Sequence, residues 1–227
     1  TMTSIRRGGD VIGSVLKDAG ATHAFGIPGG EVLALIQGLS AADIRFLLVK
    51  HENSGGFFAE GHWHMTGGLP VLVATLGPGA ANAINVVANA MQDRVPLIFL
   101  TGCVESTLIG SFTHQVVDHQ AMFRPVVKGT FKLESGKIGE IMRQAIALAL
   151  SGQPGPVHID VPVDVAESET SEPESSARLT TTCTITNQQA IETALKLLKS
   201  SSRPLAIAGV DAVLEDAGHS ISLFCRE

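Results

Sequence analysis

The stretch Leu47–Ala83, "LLVKHENSGGFFAEGHWHMTGGLPVLVATLGPGAANA", decides how the chain is read. It contains two apolar runs, each followed by a turn and then by residues suited to a helix. The first run, Phe46–Val49, reads as a strand and ends at His51-Glu52, which delivers a carboxylate to the start of a helix. The second, Pro70–Thr75, reads as a strand running into Gly77-Pro78-Gly79, where another helix begins. Strand, tight turn and helix in repetition is the pattern of parallel strands joined by crossover helices.

The alternation extends outward in both directions. Upstream, a helix over Asp10–Asp18 stops at Gly20, and "HAFGIPGG" (His23–Gly30) reads as a short strand entering a turn, with a helix from Glu31. Downstream come a helix from Gly79, strands over Leu97–Thr101, near Val127–Leu133 and over Val157–Val161, and a helix over Ile138–Leu150. "LPVLVAT", "VPLIFLTG" and "GPVHIDVP" are continuous apolar runs, as expected when both faces of a sheet are covered. The expected fold is therefore α/β, a doubly wound parallel sheet with helices on both faces. Ligands of such sheets bind beyond the carboxyl ends of the strands, and the turns at Gly26–Gly30, Lys50–Asn53 and Leu76–Gly79 fall there. Glu52 and the two glycine turns are expected to meet in one crevice.

Composition changes after Val165. Residues 166–186, "AESETSEPESSARLTTTCTIT", are acidic and Ser/Thr-rich, which reads as a linker between a domain over 1–165 and a second unit over 187–227. That second unit reads as a helix over Gln188–Lys199, a strand "RPLAIAG" (203–209) and a helix over Leu214–Cys225. One β-α repeat is too little to bury its own core, so the chain reads as the front part of a longer protein, ending at the start of a second α/β domain.

Bulk properties exclude several classes. Apolar residues make up 44% of the 227 and charged ones 17%, an ordinary packed composition that argues against disorder. A net charge of −6 with singly scattered Lys and Arg offers no basic stripe for nucleic acid and no polybasic segment for a membrane surface. Cys103, Cys183 and Cys225 are few, odd in number and far apart, which fits a reducing, cytoplasmic setting and argues against a disulfide framework. The H-E-x-x-H zinc motif fails at Gly55, and neither a phosphate-binding G-x-x-x-x-G-K-[ST] loop nor a G-x-S-x-G elbow occurs. His62-Trp63-His64 is weak as a metal site, because residues two apart face different sides of a helix; Trp63 reads as a packing residue.

"GPGAAN" (Gly77–Asn82) taken alone is equally an anion-binding helix start and a structural turn. The ordered set says more: "FGIPGG", "KHENSGGFFAEG", "TLGPGAANAINVVANAMQDRVPLIFLTG", "FRPVVK" and "GPVHIDVPVDV". Together these blocks resemble the pyrimidine-binding domain of thiamine-diphosphate enzymes of the acetolactate synthase, pyruvate oxidase and 2-oxo acid decarboxylase type, and "RPLAIAG" resembles the start of their central domain. The resemblance implies that Glu52 hydrogen-bonds N1′ of the cofactor's aminopyrimidine and relays a proton there, while the cofactor carries the chemistry. Val49, Phe57 and Phe58 are expected to desolvate that carboxyl group in part. The competing reading of Glu52 is a helix cap. The resemblance further implies that Gly26, Ile27, Pro28 and Gly29 lie near the reacting centre and that Thr75, Leu76, Gly77, Pro78, Gly79 and Asn82 lie near the pyrimidine ring.

"SFTHQVVDHQAMFRPVVK" departs from the family pattern. Many relatives carry Phe-Gln-Glu where this chain has His114-Gln115-Val116, so Gln115 matches, His114 replaces an aromatic and the glutamate is missing. Two readings of His114 stand: an acid/base group or carboxylate partner acting on substrate, and a loop residue packing where phenylalanine would. Asp118 and His119 have weaker claims. The family also binds the diphosphate through Mg²⁺ on a C-terminal domain with a G-D-G…N motif. No such motif occurs here, so no metal ligand is named and this chain alone is expected to bind the cofactor poorly. The implied function is decarboxylation of a small-molecule 2-oxo acid followed by carboligation, in a homodimer or homotetramer. Non-oxidative decarboxylation and a non-catalytic nucleotide-binding module are the alternatives.

Overall fold

The computed structural model describes residues 6–108, 111, 114–172, 187–214 and 216–226. They divide into two compact units, up to residue 182 and from residue 183. The first unit opens with a two-residue strand β1 (Arg6–Arg7) and helix α1 (Gly8–Asp18). Then follow β2 (His23–Gly26), α2 (Leu33–Ala41), β3 (Arg45–Leu48), α3 (Glu52–Thr66), β4 (Val71–Ala74), the short α4 (Pro78–Asn82), α5 (Ile84–Gln92) and β5 (Ile98–Cys103). After these come α6 (His119–Phe123), β6 (Gly129–Lys132), α7 (Ile138–Leu150), β7 (Val157–Pro162), α8 (Val163–Glu167) and β8 (Glu169–Thr170).

Six strands form one sheet in the order β3-β2-β4-β5-β7-β6, with every neighbouring pair parallel. Alternate residues of each strand enter opposite cores. Ala24, Val71, Val73, Ile98, Leu100, Val157 and Ile159 pack with α1, α2, α7 and α8 on one face. Phe25, Leu72, Ala74 and Phe99 pack with α3, α5 and Phe123 of α6 on the other. This is the doubly wound α/β sheet the apolar runs predict: a strand covered on both sides has no reason to alternate in polarity.

The chain changes direction at edge strand β3 and again at edge strand β6. From β2 it goes outward to edge strand β3, then crosses back to β4 on the other side of β2. Loops leaving β2 and β4 therefore diverge onto opposite faces, and a crevice opens at their carboxyl ends.

Helices α1 and α2 touch backbone to backbone. A Cβ on Gly38 would lie 2.0 Å from the Gly9 carbonyl oxygen, and one on Gly13 would lie 2.2 Å from that of Gly38. Contact this close fixes how α1 and α2 lie over the sheet, because it has no slack to absorb a methyl group.

Two features differ from the sequence expectation. Residues 166–172, at the head of the expected linker, are folded: α8 runs to Glu167, β8 pairs antiparallel with β1, and Glu172 accepts hydrogen bonds from the amides of Ile138 and Gly139 at the start of α7. The rest of the expected linker, 173–186, lies outside the described residues. In the second unit, the run 203–209 forms no strand, and the helix expected over Leu214–Cys225 is two helices, α10 (Val210–Leu214) and α11 (Gly218–Phe224), after α9 (Gln188–Ser200). A strand exists only with a hydrogen-bonded neighbour, and the described residues of this unit supply none.

Replacing Gly38 by Ala is expected to lower the stability of the first unit by about 2 kcal/mol, read by urea denaturation. An unchanged midpoint at equal slope would show that the two helices are not locked by this contact.

Candidate functional site

The strand-to-helix junction at His51-Glu52 separates two jobs. His51, in extended backbone at the N-cap of α3, accepts the Asn53 amide on Nδ1 at 3.2 Å. Glu52 is thereby left free of capping, and its carboxylate turns into the protein, where the residue is only 5% exposed. The cap reading of Glu52 does not hold. Asn82 at the end of α4 donates from Nδ2 to Glu52 Oε2 at 3.0 Å. Val49 beside this junction is buried, but Phe57 and Phe58 are exposed and do not screen the carboxyl group.

The Gly77-Pro78-Gly79 turn forms the facing wall. Gly77 has φ 59° and ψ −108°, a conformation open to glycine and costly for other residues. A Cβ on Gly79 would lie 2.3 Å from Thr75 Oγ1 and 3.3 Å from Glu52 Oε1, so the bare backbone of Gly79 is what faces the carboxylate. From the other side of the seam, a Cβ on Gly29 would lie 2.3 Å from Thr75 Cγ2. Gly29, Glu52, Thr75, Gly77, Gly79 and Asn82 thus meet at the crevice between β2 and β4. Gly26 closes its floor against the Val73 carbonyl, Leu76 is buried, Ile27 packs on the adjoining core, and Pro28 and Pro78 are exposed.

Gln115 reaches this turn through its backbone. Its φ is +57°, and a Cβ on Gly77 would lie 2.1 Å from its carbonyl oxygen. His114, in the same turn, is exposed.

Behind the turn lies a polar network that the sequence reading ranked low or passed over. His119 is buried; its Nε2 accepts the Gly77 amide at 2.9 Å, and its Nδ1 is 2.8 Å from Asp160 Oδ1. Thr101 Oγ1 donates to Asp160 Oδ1 at 3.0 Å and lies 2.8 Å from His158 Nε2. Gln120 Nε2 donates to Asp160 Oδ2 at 3.3 Å. His158, stacked on Phe123, has no exposure, and its Nδ1 is without a partner. The clue in the sequence was "HID": residues two apart share a strand face, so His158 and Asp160 enter the same core side by side.

Burial lowers the His158 pKa to about 4, against which the Asp160 charge works only in part. Burial alone would push the Asp160 carboxyl up, but the His119 hydrogen bond, the two imidazoles and Thr101 outweigh it and hold the group below its usual range. Burial pushes the thiol of Cys103, at the end of β5, up to about 12, which disfavours its thiolate. His62 of the "HWH" triplet meets Thr22 and Thr66, while Trp63 packs against the core as expected. An open hollow beside Met91, Arg94, Lys128 and Pro154 lies at the amino ends of the strands, away from Glu52.

The chain is thus a doubly wound α/β domain with a buried carboxylate against bare glycine backbone at the switch point of its sheet. The pattern of the thiamine pyrophosphate enzymes, N-terminal TPP binding domain, matches residues 6–122. A probable acetolactate synthase large subunit of Methanococcus aeolicus is 37% identical over 204 residues, 87% of this chain and 34% of the relative. The acetolactate synthase large subunit of Corynebacterium glutamicum is 33% identical over 93% of this chain and 34% of its own length. The isozyme 3 large subunit of Escherichia coli K12 is 35% identical over 91% and 37%. The chain belongs to the thiamine pyrophosphate enzyme family. It spans between a third and two-fifths of the length of these relatives.

Acid should destabilise this domain in two stages. His158 stays neutral in the fold but takes a proton in the unfolded chain below pH 6.5, so stability falls as pH drops from 6.5 toward 4. Asp160, with its pKa depressed, adds a further loss below its unfolded value of 3.8. Urea titrations at pH 7 and 4.5 should differ by on the order of 2 kcal/mol from His158. His158→Phe should remove that part of the difference; an unchanged difference would mean the ring is not the cause.

Proposed function

We propose that this chain supplies the pyrimidine side of a thiamine-diphosphate site in an enzyme that decarboxylates a 2-oxo acid and joins the product to a second carbonyl compound, as an acetolactate synthase does. The observation that carries the reading is the Glu52 carboxylate: buried, held on one oxygen by Asn82, and open on the other toward the bare backbone of Gly79. Glycine at 29 and 79 keeps this wall tight, because a side chain at either position would collide with Thr75. The similarity to acetolactate synthase large subunits supports the same activity.

Bound here, the cofactor would supply the electron sink for cleaving the bond to the carboxylate. The chain's own part is positional and protonic. Glu52 would hold a proton at the ring nitrogen facing it and pass it back and forth. Asn82 fixes the carboxylate's rotamer by taking one oxygen. Thr75, Leu76 and the Gly77-Pro78-Gly79 turn would press on one face of the ring and exclude water, while Gly26, Ile27, Pro28 and Gly29 would line the approach to the reacting atoms. Mg²⁺ and the diphosphate belong, in this reading, to another domain, and the complete enzyme is a homodimer or homotetramer in the cytoplasm. Among the described residues no helix is long and apolar enough to cross a membrane.

A decarboxylase reading is favoured by one feature: the turn carrying His114 and Gln115 packs on Gly77. If His114 acts on substrate, His114→Phe in the complete enzyme shifts the ratio of acetaldehyde to acetolactate formed from pyruvate. An unchanged ratio and rate make it a packing residue.

Glu52→Gln is expected to lower the rate of CO₂ release from pyruvate by 10²-fold or more, assayed in the complete enzyme with thiamine diphosphate and Mg²⁺, because an amide cannot relay the proton. Retention of full activity would remove the catalytic reading.

A further inference from the structure

His119 joins the crevice to the core, and its hydrogen bonds fix its tautomer. Nε2 accepts the Gly77 amide, so that nitrogen carries no proton. The neutral ring then has its hydrogen on Nδ1, aimed at Asp160 Oδ1. The other tautomer would set two N–H donors against each other at Gly77 and leave a carboxylate facing a bare nitrogen. Asp160, held in turn by Thr101 and Gln120, therefore selects the tautomer that can accept from Gly77.

Gly77 itself is held from two directions. The Gln115 carbonyl oxygen occupies the place where its side chain would be, and His119 takes its amide. Two residues further on, Gly79 lies against Glu52. We propose that His119 is a positioning residue: its neutral imidazole, oriented by Asp160, holds the Gly77 amide and thereby sets the wall that faces the Glu52 carboxylate. The consequence for cofactor binding rests on the function proposed above; the hydrogen bond itself does not.

His119, His158 and Asp160 also bring three possible metal ligands within 4.8 Å of one another. Thr101 Oγ1, however, lies 2.8 Å from His158 Nε2, 3.0 Å from Asp160 Oδ1 and 3.4 Å from His119 Nδ1. A hydroxyl within reach of all three atoms makes this a hydrogen-bonded cluster centred on Thr101 and leaves an ion no place among them.

The test has two arms. In the ¹⁵N-labelled 227-residue chain, the N–H···N bond should give a scalar coupling between the Gly77 amide nitrogen and His119 Nε2, with the His119 proton on Nδ1. No coupling, the opposite tautomer, or a stoichiometric, tightly held zinc ion in the purified chain overturns the proposal. In the complete enzyme, His119→Phe keeps the ring's bulk but removes the acceptor, and should raise the Kd for thiamine diphosphate on the order of 10-fold to 100-fold. His119→Gln, whose Oε1 can take the same amide, should recover part of that loss. A residue that merely packs would tolerate Phe better than Gln, and that ranking also overturns the proposal. Full activity of Glu52→Gln would remove the functional reading yet leave the coupling in place, so the two failures are distinguishable.

Discussion

The pairing of β2 with β4 is the contact on which the site depends. Every feature of the crevice follows from the chain going outward from β2 to β3 and then returning past it to β4. The return places the ends of two neighbouring parallel strands side by side while sending their loops apart. Gly26 makes that pairing tight, because only a residue without a side chain fits against the Val73 carbonyl. Had the chain continued in one direction, the Thr75–Gly79 turn and the Gly26–Gly29 turn would lie on different neighbours, and no gap would separate them for a ligand.

Polar groups then sharpen what the backbone roughs out. His51 takes the capping role so that Glu52 can face inward; Asn82 secures one oxygen; Asp160 secures the imidazole that secures Gly77. The imidazole of His119 is thus held by a carboxylate that lies behind the turn and not in the crevice. A network of this kind is costly if any member is left unpaired, and the unpartnered His158 Nδ1 is the one such atom it tolerates.

The architecture was legible because period and punctuation agree in most of the first unit. Ile138–Leu150 has the same limits in sequence and structure, and every sheet strand falls within a residue or two of its apolar run. Glu52 and Gly79 could be named because they follow strand ends closely in turns, whereas Asn82, at the end of α4, was named only through the family resemblance. Three kinds of feature were not legible. β1 and β8 are two-residue strands, too short to show any period. The strand expected at 203–209 has the right composition, but pairing is a property of two segments and the sequence shows only one. His119 and Asp160 are 41 residues apart, and only the sheet order brings the loop before β6 onto the end of β7.

The acidic segment after β7 looks like a place to divide the protein, and composition alone would put a domain boundary at Val165. The folded residues beyond it act as a clasp. Ser168 accepts the Gly8 amide, β8 pairs with β1, and Glu172 reaches the first amides of α7. An expression boundary drawn at Val165 would strip the opening strand of its one partner among the described residues and leave the first amides of α7 without the Glu172 carboxylate. The smallest piece that keeps these bonds runs through Glu172, and a recombinant domain meant to report on the crevice has to include it.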